Sequence, residues 1–221
     1  MRNSGIEVLF EGRNFLRLLE GLWVTASIAL AAMAISVLLG IVMTSRNRFV
    51  RACTRLYLEF VRVVPQLVLL FVVYFSLASQ AGVNLGGRTA AVIVFSVWGT
   101  AEMGDLVRGA IRSTPSHQVY SGLALGMTSA QVYRYVVLPQ TIRRLLPVTI
   151  NLANRMIQTT TLVVLIGVVE VLKTGQQIID ANRFAHPTAA LWVYAVIFLM
   201  YFAICYLISL LSKRLERKWQ S

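Results

Sequence analysis

Residues 116–147 read SHQVYSGLALGMTSAQVYRYVVLPQTIRRLLP. The stretch carries basic clusters at its edges, Gly126 in mid-course and the pair Leu138-Pro139. It is too polar and too punctuated to cross a bilayer, yet apolar runs flank it on both sides. Arg112, Arg134, Arg143 and Arg144 place it in the cytoplasm, where Lys and Arg of membrane proteins collect. QVYSGLAL predicts a short helix ended at Gly126, a permissive C-terminal cap. SAQVYRYVVL predicts a second helix, after which Pro139 bends the chain back towards the membrane. Tyr120, Leu123, Leu125, Met127, Tyr133 and Tyr135 are large side chains in a loop that faces water. That is the composition of a protein contact site.

Composition sets the surroundings of this loop. Of the 221 residues, 57% are hydrophobic and 14% charged, with a mean hydropathy of +0.69. A soluble domain carries about a quarter charged residues. Apolar runs long enough for a hydrocarbon core of ~30 Å recur, which predicts an all-α, multi-pass membrane protein. The net charge of +12 then reflects membrane orientation and not nucleic acid, for which no motif is present. Cys53 and Cys205 have no metal spacing, and no disulfide is expected between them. His117 and His186 are the only histidines and lie far apart, so no metal or His-based catalytic site is expected.

Working outward, residues 1–20 predict an amphipathic segment on the membrane surface, with Gly12 weakening it as one helix. They lack the apolar h-region of a cleaved signal. Residues 21–212 form the transmembrane domain. Its spans are expected near 22–44, 56–78, 89–111, 146–169 and 189–211, and the loop of interest covers 113–140. A basic tail, 213–221, follows. Segments 45–55, 112–144 and the tail are strongly basic, whereas the N-terminus, 79–88 and 170–187 are balanced. Five spans, N-terminus out and C-terminus in, satisfy all six segments, with a short helix in 170–187.

Charges inside spans are costly and face a bundle interior or a wet cavity. Glu59, Arg62 and Pro65 stand at i, i+3 and i+6, so Glu59 and Arg62 can pair and Pro65 can kink the helix. They suit either an interfacial pair or a gate. Glu102, Asp105 and Arg108 repeat that spacing. Asp105 and Arg108 are expected to neutralise each other, which leaves Glu102 without a local partner. Asn151, Asn154, Arg155 and Gln158 are expected on one helix face, either as interhelical hydrogen-bonding groups or as a cavity wall.

The loop resembles the cytoplasmic loop of the membrane subunits of binding-protein-dependent ABC importers. That family's pattern is Glu-Ala-Ala, three residues, Gly, nine residues, Ile, one residue, Leu-Pro. Here Tyr120-Ser121-Gly122, Gly126, Val136 and Leu138-Pro139 keep the spacing, with Tyr120 in place of the Glu and Ser121-Gly122 in place of the two Ala. Glu59, Arg62 and Pro65 resemble Glu-x-x-Arg-Gly-Thr-Pro of the polar amino acid importers, with Val63 and Val64 for Gly and Thr. Asp105, Arg108 and Gly109 resemble Ala-Glu-Ile-x-Arg-Gly, with Asp for Glu. Thr160-Thr161-Leu162 resembles the end of Lys-Asp-Thr-Ser-Leu, and Gln140 and Arg143 continue the Leu-Pro pair.

This resemblance, over about 15–212, implies the type I ABC importer permease fold with a cytoplasmic coupling helix. It implies a permease for glutamate, glutamine, histidine or a similar amino acid. Partners would be a second permease subunit, identical or paralogous, two ATPase subunits and an external binding protein. The chain has no Gly-x-x-x-x-Gly-Lys-Ser/Thr, so ATP and Mg belong to the ATPases and no ATP hydrolysis or cofactor is expected of this chain. Coupling would fall to Val119, Tyr120, Ser121, Gly122, Leu123, Leu125, Gly126, Leu138 and Pro139. Glu102, Asn154, Arg155 and Gln158 are expected to border the substrate path, and Glu59, Arg62, Pro65, Asp105 and Arg108 to form a structural or gating set. A competing class, the ion-coupled secondary transporter, could use Glu102 and Asp105 for protons, but it usually shows internal repeats, and none is visible.

Overall fold

The computed structural model describes residues 5–44, 47–77, 80, 82 and 85–220. Residues 45 and 46 of the first basic block and 79, 81, 83 and 84 of the 79–88 loop lie outside the described residues. Every described element is helical: α1 (Asn14–Val42), α2 (Arg48–Val63), α3 (Gln66–Phe71), α4 (Gly87–Arg112), α5 (Ser116–Ala124), α6 (Ser129–Val132), α7 (Leu138–Thr159), α8 (Val171–Asn182) and α9 (Ala189–Gln220). α1, α4 and α9 are each long and apolar enough to cross a membrane. Two bent pairs supply up to two more spans, which makes five the upper count.

α1 and α4 form the centre. Ser36 Oγ donates to Ala32 O at 2.7 Å and lies 3.4 Å from Ser96 O across the helix crossing. Gly40 meets Met103, and Gly99 sits where any Cβ would strike Ser36 and Met156. Small residues let helix backbones approach where lipid removes the hydrophobic drive for association. The main core gathers α1, α2, α4 and α7 around Phe95, Met103, Leu152 and Met156.

A second core lies at the other end of α1. Val8, Leu9 and Leu18 pack with Val171, Ile178, Ala189 and Val193. The N-terminal segment is therefore held inside the fold by Val8 and Leu9, and residues 14–20 are the first turns of α1. Glu170 joins the pieces. It is fully buried and caps α8 by accepting from Leu172 N and Lys173 N at 2.9 and 2.8 Å. Thr25 of α1 and Tyr201 of α9 add hydroxyl contacts at 3.4 and 3.3 Å. Gln keeps one acceptor oxygen, so Glu170→Gln is expected to cost about 1 kcal/mol of stability, the worth of a typical net hydrogen bond. Thermal unfolding of the detergent-solubilised chain checks this, and a loss as large as that of Glu170→Ala would contradict it.

Four sequence expectations change. The second span is broken: α2 ends at Val63, Pro65 opens α3, and the two axes bend by 100°. Most of the first basic block is helical, since α2 begins at Arg48 and is capped by the Asn47 side chain. Pro139 does not turn the chain. It lies in the first turn of α7, where its missing N–H costs no helical bond, and a π-helical turn over Tyr133–Val137 runs straight into that helix. The helix interior instead tolerates Pro147, whose carbonyl accepts from Ser212 Oγ at 3.1 Å. Finally, α9 continues through the basic tail to Gln220.

Candidate functional site

Two regions carry chemistry. The first lies on α4 and α7. Glu102 is ten residues from the end of α4 at Arg112, about 15 Å at 1.5 Å per residue, and so sits at membrane depth. Its partner comes from α7: Arg155 Nη1 donates to Glu102 Oε2 at 2.9 Å. The same guanidinium lies 5.3 Å from the centroid of the Trp98 ring, one helical turn before Glu102. Sequence spacing along α4 could not reveal this pairing, because the two residues are 53 apart. The Arg155 side chain remains 58% exposed and that of Glu102 22%. The pair thus opens to one side of the chain and is not sealed in its core.

The other two polar residues divide. Gln158 is exposed beside Arg155, 3.9 Å from Cys205 Sγ. Asn154 leaves the expected common face. It is 8% exposed and donates to Cys205 O and Ser209 Oγ at 3.1 and 2.8 Å, which ties α7 to α9. The i+3 step to Asn154 turns it about 100° from Arg155, enough to take it from the open face to the packed one. Asn151 lies on the open face with Arg155 and Gln158. The buried Asn154 Oδ1 has no partner among the described residues.

The acid–base pairs beside the broken span also rearrange. Arg62 forms its ion pair with Asp105, across from α2 to α4, and not with Glu59. Arg108 approaches the other Asp105 oxygen at 3.4 Å. One carboxylate therefore serves two guanidinium groups, and Arg62 stands three residues before Pro65, at the 100° break. Glu59 has no ion pair among the described residues.

The second region is the loop between α4 and α7. α5 ends as expected: Gly126 takes φ +83°, and Met127 N bonds back to Gly122 O at 3.1 Å. Thr128 and Gln131 form a capping box that starts α6. The loop's ends are clamped together. Gln140 of α7 donates to Gln118 of α5 at 2.7 Å, and Arg144 donates to Ser113 Oγ at 2.7 Å. Gln140 thus holds α5, and Arg144 holds the end of α4 that leads into it. Reading the loop as a spacing pattern gives Gln140 and Arg143 but passes over Arg144 and Gln118, because the clamp bridges 22 and 31 residues of sequence. With its base fixed, α5 turns Tyr120 outward at 68% exposure and Leu125 at 83%.

The family model for the binding-protein-dependent transport system inner membrane component matches residues 36–221. The chain belongs to that family. It is an inner-membrane component of such a transport system, and the apolar helices agree with a multi-pass protein. Among its relatives, the glutamine transport system permease protein GlnP of Escherichia coli is 30% identical over 206 residues, 91% of this chain and 92% of that one. The probable amino-acid permease protein YxeN of Bacillus subtilis is 29% identical over 209 residues, 92% and 91% of the two chains. A crystal structure of an amino acid ABC transporter with histidines superposes with a TM-score of 0.84 at 26% identity, covering 92% of this chain and 94% of that one.

As a member of a binding-protein-dependent ABC system, the permease implies ATPase and binding-protein partners. Its fold is the type I permease fold of its structural neighbour. The broken second span, the loop clamped onto α7 and the crossing of α1 with α4 are features of this permease.

Proposed function

We propose that this permease carries a polar amino acid, of the glutamine, histidine or glutamate kind, across the membrane. The reading adds five spans with the N-terminus outside, a second permease subunit and two ATPases below. The Glu102–Arg155 pair carries the proposal. An amino acid zwitterion brings an ammonium and a carboxylate. A Glu and an Arg held 2.9 Å apart at membrane depth can each exchange the other for the opposite charge on the substrate. Because the two protein charges neutralise each other when the path is empty, neither stands uncompensated in a low-dielectric setting. Gln158 and Asn151 extend the same open face, and Trp98 backs the guanidinium. Asn154 supports the path from behind by fixing α7 to α9.

The loop transmits the ATPase cycle. α5 rides on the ATPase, and its clamp through Gln118 to Gln140 passes movement directly into α7, which carries Arg155. ATP favours one arrangement of the permease pair and ADP the other, so nucleotide and cargo act on one two-state element. Gly126 is the pivot. A β-branched residue at φ +83° is strained by about 1–2 kcal/mol. Gly126→Val is therefore expected to lower binding-protein-stimulated ATP hydrolysis several-fold while the chain still inserts. Unchanged stimulation would contradict the coupling role.

The function itself is tested with the permease reconstituted in proteoliposomes with its ATPase and binding protein. ATP-dependent accumulation of a labelled polar amino acid is expected. Accumulation driven by a proton or sodium gradient without ATP would replace the reading with secondary transport.

A further inference from the structure

No Asp or Glu occurs between Asp105 and Glu170. The loop therefore offers its partner no carboxylate, and the exposed charges on it and at its edges are Arg112, Arg134, Arg143 and Arg144. On α5 the exposed face is formed by His117, Tyr120, Ser121 and Ala124, with Leu123 beside it and Leu125 beyond. Tyr120 stands where the family pattern has a Glu. Gly122 stands where it has an Ala, and a Cβ there would come within 2.9 Å of Val132 Cγ2. α5 thus lies closer to α6 than an Ala would allow. Next to Leu123, a cavity of about 380 Å³ lies between α4, α5 and the π-helical turn, lined by Ile111, Val119, Val132, Tyr133 and Val137. The surface is a projecting aromatic beside an apolar hollow, with only cations around it.

We propose that the cytoplasmic partner receives this surface in an apolar slot with an acidic rim, and that Tyr120 is the side chain that fills the slot. The inference rests on the reading that this partner is the ATPase. Charge complementarity fixes the rim, since an acid-free, arginine-bearing face is repelled by a basic groove and steered by an acidic one. Burial of a tyrosine ring fixes the slot. Tyr is enriched among residues that dominate interface energetics, where the ring is buried and the hydroxyl reaches the wet edge.

The test uses the full chain in nanodiscs with its own ATPase subunit. Association is read by fluorescence anisotropy, and binding-protein-stimulated hydrolysis is read alongside it. Tyr120→Phe is expected to bind within about twofold of the unaltered chain. Tyr120→Glu, which restores the family residue, is expected to weaken association at least about tenfold, the scale of an interface hot spot. Glu is a better helix former than Tyr, so that loss would not come from an unfolded α5. Arg134→Glu is expected to weaken association and flatten its salt dependence. Equal or tighter binding by Tyr120→Glu overturns the slot. Salt-independent binding by the unaltered chain overturns the acidic rim. If the unaltered chain shows no association with the ATPase, the coupling reading falls and this inference with it.

Discussion

Arg155→Ala is expected to abolish most ATP-driven uptake, and Glu102→Gln to do so nearly as fully. Each removes one charge from a pair that two separate helices bring together at membrane depth. Arg155→Ala leaves the Glu102 carboxylate without its cation, and it also removes the guanidinium over the Trp98 ring. Breaking a fully buried pair costs about 3–5 kcal/mol. The Arg155 side chain is more than half exposed, so solvent screens part of this. A remainder of about 1.4 kcal/mol still amounts to about tenfold in affinity. The measurement is initial uptake rate against substrate concentration in proteoliposomes. The two variants separate the roles: Arg155→Ala should lose carboxylate recognition and Glu102→Gln ammonium recognition. Competition by amines lacking the carboxylate and by acids lacking the ammonium should therefore shift in opposite directions. Wild-type rate and affinity in both variants would remove these residues from the path.

The second large effect concerns Asp105. Asp105→Ala is expected to impair transport much more than Arg62→Ala. The reason is the count of partners. Asp105 accepts from Arg62 on one oxygen and faces Arg108 at 3.4 Å on the other. Without Arg62, the carboxylate keeps Arg108. Without Asp105, two guanidinium groups face each other beside the 100° break at Pro65, and their repulsion acts directly on the hinge. Like charges near one another destabilise by amounts similar to what opposite charges contribute, and a low local dielectric enlarges this. Asp105→Glu, which restores the family residue, should retain most activity, since the added methylene leaves both partners within reach. Uptake rate and unfolding midpoint of the three variants provide the comparison. Equal loss in Arg62→Ala and Asp105→Ala would show that the carboxylate has no second partner of consequence.

The loop between α4 and α7 was the most legible part of the chain. Gly126 had to end a helix because its position demanded φ > 0, and the side chains around it were too apolar for an unpartnered surface. Local rules suffice there, because caps and turns are made by residues a few positions apart. The spans were legible in rough place for the same reason: composition over about 20 residues decides whether a helix can sit in lipid.

Element joints were harder to read. Pro65 and Pro139 are the same residue type after the same kind of apolar run. One opens a 100° bend and the other sits harmlessly in a first helical turn. Helix precedes both; what separates them is the approach, extended at Val64 before Pro65 and π-helical over Tyr133–Val137 before Pro139, and that depends on packing. α2 is held to α4 by the Arg62–Asp105 pair up to the break, whereas α7 starts where the clamp from Gln118 and Ser113 meets Gln140 and Arg144.

The amino-acid sequence by itself determined that this is a helical membrane protein with a cationic, aromatic loop of a particular spacing. Hydropathy, charge bias and turn chemistry are local, and they survive without knowledge of neighbours. Only the tertiary structure decided which charges neutralise which. Glu102 found Arg155 on another helix, Arg62 left Glu59 for Asp105, and Asn154 turned from the open face to α9. Electrostatic pairing depends on distance in space. A helix face presents each charge to several neighbours, and the packing of α2 and α7 on α4 and of α9 on α7 determines which of them comes within reach.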